Sequence, residues 1–200
     1  MTDKFQNKYR IPSARAAWWN YASNAAYFIT ICTKHRVHYF GEIVSGVLQS
    51  TRIGQIAESE WLKTPSIRPD MNLELDEFVV MPNHFHAIIW IGVNEYNRNK
   101  MGIVAGNGIV AGNVETPCMA SLPTHHDATV NKFGPQSKNL ASILRGFKSA
   151  VTIFAEKNDI EFEWQERFYD HIIRDEDSYQ RIQNYIVNNP SNWETDKFCN

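Results

Sequence analysis

With 200 residues, 43% hydrophobic and 12% aromatic, the chain is long enough for one well-filled core and short for two, so a single globular domain is expected. A net charge of −2 withholds the overall cationic excess on which bulk binding to phosphates rests. The apolar runs are too short for a membrane span, MTDKFQNKYR has no apolar core behind its charges, and a cytoplasmic protein is expected.

Residues 1–25 are polar and irregular, with Pro12 and the aromatics Trp18, Trp19 and Tyr21, and read as an N-terminal arm laid over the body. Residues 26–33, AYFITICT, are β-branched and aromatic and predict a first strand that ends at the basic turn Lys34 to Arg36. Between Val47 and Leu62 the positions Val47, Ile53, Ile56, Ala57 and Trp61 recur at helical spacing until Pro65, which predicts a crossover helix. Residues 72–80 predict a second strand, and Met81, Pro82 and Asn83 a tight connection into an antiparallel third.

That third strand lies in Phe78 to Trp90, FVVMPNHFHAIIW, and carries His84 and His86 two residues apart. Alternation along a strand puts both imidazoles on one face and sends Phe85, Ala87, Ile89 and Ile91 to the other, toward a helix layer. Two like-facing imidazoles read either as a hydrogen-bonded pair or as two ligands of one metal ion.

From Asn94 to Ser137 the pattern becomes Gly, Asn, Pro, Thr and His, and GIVAGN occurs twice in tandem at 102–107 and 108–113, which reads as an expanded surface loop, the neighbouring His125 and His126 being exposed in it. Order returns at Asn139. Leu140, Ile143, Leu144, Phe147, Val151 and Phe154 form one helical stripe with Arg145 and Lys148 off it. Residues 160–168, IEFEWQERF, alternate as a fourth strand, and a last helix starts with the capping residues Asp175 to Ser178, carries Tyr179, Ile182, Ile186 and Val187, and stops before Pro190. The order β-α-β-β-α-β plus a terminal helix predicts an α+β fold, a ferredoxin-like split β-α-β antiparallel sheet with helices on one face.

On the last helix Tyr185 and Asn189 are one turn apart and share a face. A tyrosine oxygen is a competent nucleophile toward phosphorus when a cation polarises the phosphate, and an asparagine carbonyl can complete that cation's shell. A partly buried aromatic and a helix-terminal cap are the plainer roles for these two residues. Cys32, Cys118 and Cys199 are odd in number and widely spaced, which argues against a disulfide framework and a thiolate zinc site.

Five blocks in order, YFITICTKHRVHYFG at 27–41, VVMPNHFHAIIW at 79–90, FKSAV at 147–151, WQERFYDHIIRDEDSY at 164–179 and YIVNNP at 185–190, resemble the REP-associated tyrosine transposases, single-tyrosine relatives of the small HUH transposases. The resemblance spans about 26–191, interrupted by the loop at 94–137. It implies a ferredoxin-like sheet with the nucleophile on a C-terminal helix, His84, His86 and Asn189 as metal ligands and Tyr185 as nucleophile. It further implies a metal-dependent enzyme that recognises palindromic hairpins in single-stranded DNA, cleaves through a 5′-phosphotyrosine, leaves a 3′-hydroxyl, and acts at the nucleoid as a monomer or homodimer. Ligand softness alone favours Zn, Mn or Ni, whereas the resemblance points to Mg²⁺ or Mn²⁺. Arg10, Arg15, Lys34, Arg36, Arg145 and Lys148 are the candidate DNA contacts. Two alternatives stand beside this reading: a catalytically retired hairpin-binding protein of the same fold, and a hydrolase that activates water at the His-X-His pair.

Overall fold

The computed structural model describes residues 16, 18–98 and 137–199, together with the backbone of Lys4–Phe5 and Lys8–Tyr9, which pair as short antiparallel strands. Arg10, Arg15, Cys118, the GIVAGN repeat, His125 and His126 lie outside the described residues.

The strands are β1 (Ala25–Thr33), β2 (Gly41–Val44), β3 (Val47–Ser50), β4 (Leu73–Met81), β5 (His84–Ile91) and β6 (Trp164–Ile173). The main helices are α1 (Arg52–Leu62), α2 (Leu140–Lys157) and α3 (Glu176–Asn188), followed by the 3-10 segment Pro190–Thr195. The four-stranded sheet has the order β4-β5-β1-β6 with every neighbouring pair antiparallel. Strands β1 and β4, joined through α1, therefore run parallel with β5 between them, which is the split β-α-β arrangement.

Alternation explains why both faces of the sheet are covered. Tyr27, Ile29 and Ile31 of β1 and Phe85, Ala87, Ile89 and Ile91 of β5 face α1 and α2 in the main core, where Trp61 packs edge-on against Phe85 and Phe147 at ring separations of 5.1 and 5.3 Å. Ala26, Phe28 and Ile88 point the other way and pack on Ile186 of α3. Central strands buried on both faces read as continuous apolar runs, as β1 does. Each main helix begins on a side-chain cap: Thr51 accepts from Gly54 N, Asn139 forms a capping box with Ser142, and Asp175 accepts from Ser178 N at 2.7 Å. Helix α3 is tied to the sheet edge where Tyr179 Oη and Trp90 Nε1 both donate to Asp76 Oδ2, at 2.5 and 3.3 Å.

Three expectations are corrected. Val47 belongs to β3 and is exposed, so the helix starts at Arg52; Ser45 and Gly46, both at positive φ, form the tight hairpin turn between β2 and β3. The fourth strand spans 164–173 because its pairing follows β1 as far as Ala26↔Ile173, while Phe162 ahead of it packs on Tyr39, Phe40 and Trp164. Val187 lies off the apolar stripe of α3, 57% exposed. Among the described residues no helix is long and apolar enough to cross a membrane.

Candidate active site

The strand register builds the site. His86 lies directly opposite Thr30 of β1 and Val79 of β4, and His84 opposite Cys32 and Met81, so the two imidazoles stand in adjacent rows on the face covered by α3. Their rings are 4.5 Å apart and buried. His86 Nδ1 is 2.8 Å from Thr30 Oγ1, and its Nε2 is 3.1 Å from Tyr185 Oη. His84 Nδ1 is 2.9 Å from Asn83 Oδ1, and the Asn83 amide nitrogen donates to the Phe198 carbonyl at 2.8 Å. With the Asn83 oxygen facing it, Nδ1 of His84 carries the proton, and Nε2 is left as a lone pair.

That lone pair is buried without a hydrogen-bond partner, and so is Asn189 Oδ1. Asn189 ends α3, its Nδ2 donates to Asp196 Oδ2 at 3.1 Å, and its side chain bears directly on the protonation of His84. Two orphaned buried acceptors on neighbouring side chains are costly, about 1–3 kcal/mol each, unless something electropositive meets them. A divalent cation fits this demand, with His84 Nε2 and Asn189 Oδ1 as the free donors and His86 Nε2 as a third once its contact with Tyr185 Oη is released. No group of three or more His, Cys, Asp or Glu side chains converges to hold a metal among the described residues, so any such site depends on the amide.

Electrostatics agree with a site prepared for a cation. Burial, then His86 and Arg36, push His84 down to about 2, and burial pushes His86 down to about 3 against the pull of Asp196, so both rings are neutral at pH 7. Tyr185, 38% exposed, is pushed up to about 12 by burial first and by the Asp196 carboxylate second, its Oη donating to Asp196 Oδ2 at 3.2 Å. Replacing Asp196 with Asn should lower the phenol's pKa while leaving it above 10, because the burial contribution stays; tyrosinate absorbance against pH, with a Tyr185→Phe control, measures this.

Tyr185 opens onto a cavity of about 350 Å³ lined by Asn189, Asn192, Thr195, Asp196 and Lys197. The segment after α3 walls the site: Phe198 packs 4.5 Å from the His84 ring, and the Arg36 guanidinium lies 4.2 Å over Phe198. Among the described residues the basic candidates come from different elements. Lys34, paired with Glu163, and Arg36 follow β1. Arg145 and Lys148 sit on the helix side of the sheet, in a groove of about 720 Å³ with Trp164, Glu166 and Phe168. Thr30, Asn83 and Asp196 belong to the site although none was among the candidate site residues. Thr30 had one signal, a polar residue on the histidine face of an otherwise apolar strand; Asp196, beyond Pro190, had none.

No family model matches the chain. It is 38% identical over 186 residues to an uncharacterized protein of Haemophilus influenzae, covering 92% of this chain and 91% of the relative. Its fold is similar to the structure of a REP-associated tyrosine transposase bound to a REP hairpin, with TM-score 0.52 and 17% identity, over 90% of this chain and 73% of that one. The fold is thus transposase-like.

Proposed function

Taking as premise that the chain belongs to one family with the Haemophilus influenzae protein, and joining its transposase-like fold to the site's chemistry, we propose that it is a metal-dependent single-stranded DNA transposase that binds palindromic hairpins and cuts and rejoins DNA through Tyr185. The observation that carries this is the Tyr185 hydroxyl, hydrogen-bonded to His86 beside the orphaned acceptors of His84 and Asn189.

Tyr185 Oη attacks the phosphorus, and its proton passes to Asp196 Oδ2, the carboxylate it already touches. The bond to the 3′ oxygen breaks, that oxygen takes a proton from solvent, and the 5′ phosphate stays esterified to the tyrosine. Bond energy is conserved, so a 3′-hydroxyl can reverse the attack without a nucleotide cofactor. His84, His86 and Asn189 would hold Mg²⁺ or Mn²⁺, which when bound polarises the attacked phosphate and stabilises charge on the leaving oxygen. Asn83 Oδ1 holds the His84 imidazole in the tautomer that leaves Nε2 unprotonated, and Thr30 orients the His86 ring.

The test incubates the protein and Tyr185→Phe with 5′- and 3′-labelled single strands from palindromes flanking its gene, with and without Mn²⁺, on denaturing gels. A metal-dependent covalent band is expected, lost in Tyr185→Phe while hairpin binding in native gels stays within about twofold. Undiminished adduct from Tyr185→Phe would remove the nucleophile assignment. Tight hairpin binding with no adduct from the wild type would leave a retired hairpin-binding protein.

A further inference from the structure

Strand β6 is an edge of the sheet; opposite Phe28 and Thr30 of β1 it sets His171 and Tyr169 on the Tyr185 side, and exposed Arg167 precedes them where the pairing with β1 shifts register. Tyr169 is 56% exposed although an edge strand gains nothing for folding from a bare aromatic ring. Its position is specific. Thr30 of β1 lies opposite His86 on one side and opposite Tyr169 on the other, so Tyr169, Thr30 and His86 form one row across the sheet. Two strand spacings, roughly 10 Å, separate Tyr169 from the His86 row position, within reach of a nucleotide next to an attacked phosphate.

The ring is also built into the site's aromatic frame. Phe28 packs 5.3 Å from His86, 6.2 Å from Tyr185 and 6.4 Å from Tyr169, meeting the last two edge-on, which steadies Tyr169 while its outer surface stays open. His171 follows it at i+2 on the same face, and the exposed Arg167 precedes it at i−2 beside the irregular stretch of pairing. An exposed aromatic ring with a cation two residues before it and an imidazole two residues after it matches the two recurring parts of an unpaired nucleotide, a base to stack and a phosphate to neutralise.

We propose that Arg167, Tyr169 and His171 of β6 bind the unpaired DNA strand beside the scissile phosphate, Tyr169 stacking on one base and Arg167 contacting the backbone. This rests on the transposase reading above and adds the path by which the strand reaches Tyr185. Tyr169 is then a positioning residue, acting through where it holds the base.

The experiment measures binding of fluorescent oligothymidylate across a salt series by wild type, Tyr169→Ala, Tyr169→Trp and Arg167→Ala, and photocrosslinks a 5-iodouracil strand to wild type with peptide mapping. Tyr169→Ala should bind roughly 5- to 100-fold more weakly, the loss that one base stack gives, with the thermal midpoint unchanged. Tyr169→Trp should restore affinity, Arg167→Ala should flatten the dependence of log K on log salt by about 0.7, and the crosslink should map to Tyr169. Wild-type affinity in Tyr169→Ala, failure of Tyr169→Trp to restore it, or a crosslink mapped away from β6 would overturn the proposal. The adduct assay separates the two readings: adduct at the wild-type rate from Tyr169→Ala sinks the stacking role alone, whereas a Tyr169 crosslink with no adduct under any metal sinks the transposase and leaves the strand-binding face standing.

Discussion

A protein carrying His84→Leu and His86→Leu should fold at neutral pH and fail to cut DNA. Both imidazoles are neutral and buried, and His84 Nε2 has no partner, so the native protein carries a buried polar atom that a leucine of similar bulk would remove. Against that gain stand the lost contacts to Asn83 Oδ1, Thr30 Oγ1 and Tyr185 Oη. The offset is partial, so a loss of about 2–4 kcal/mol is expected, inside the ~5–15 kcal/mol a domain possesses. Activity has no such offset. Loss of the nitrogen donors removes the electrophilic contribution at the phosphate and should lower the rate of adduct formation by on the order of a thousandfold or more. Urea titration at pH 7, adduct gels and Mn²⁺ calorimetry on the two proteins check this together. Wild-type Mn²⁺ affinity in the variant would show that these histidines are packing residues and would detach the cation from the site. A purely structural role predicts the reverse pattern, large destabilisation with specific activity retained in the folded fraction.

The parts of this arrangement that the sequence made legible are those set by period. Alternation from Phe78 to Trp90 placed His84 and His86 on one face and Phe85, Ala87, Ile89 and Ile91 on the other, and the cores on the two sides of the sheet follow that division. The 3.6-residue period set the core-facing stripe of α2 and stacked Asn189 one turn beyond Tyr185, with Asp175 as the cap that starts α3. Period gives no information where the chain is irregular. The β2–β3 hairpin was hidden because Val47 also fits the helical spacing of Ile53, Ala57 and Trp61, and only Ser45-Gly46 marks the turn. Phe162 looked like a strand residue because it alternates with its neighbours, yet its burial comes from the rings of Tyr39 and Phe40. Asp196 reaches Tyr185 and Asn189 through a 3-10 turn begun by Pro190, a geometry that neither the 2.0 nor the 3.6 period describes. Charge counting was similarly blind to topology: Arg36 and Lys148, both candidate DNA contacts, lie beside the histidines and on the helix side of the sheet respectively.

Acidification should destabilise the protein in a window that belongs to the histidine pair. In the folded chain His84 titrates at about 2 and His86 at about 3, held down by burial, whereas the unfolded chain's imidazoles titrate near 6.5. Between those limits the unfolded state binds up to two more protons than the folded state. The stability tied to neutral imidazoles is therefore fully present above about pH 6.5 and is lost as pH falls toward 3, at roughly 1.4 kcal/mol per pH unit for each group. Several kcal/mol disappear by pH 4.5, a large fraction of the ~5–15 kcal/mol a domain possesses. Asp70, whose carboxyl is held low first by Lys138 and then by Tyr96, acts in the same direction but only from the ordinary carboxylate range downward, so it contributes little above about pH 4.5. Urea midpoints at pH 7, 6, 5 and 4.5 should fall steeply for the wild type and little for His84→Leu, His86→Leu; parallel curves would mean that the imidazoles are not the buried titrating groups. Mn²⁺ sharpens the contrast. A cation held on ring nitrogens stabilises only the unprotonated folded state, so saturating Mn²⁺ should raise the wild-type midpoint at pH 7, lose that increment as acid competes for the nitrogens, and leave the double variant unmoved at every pH.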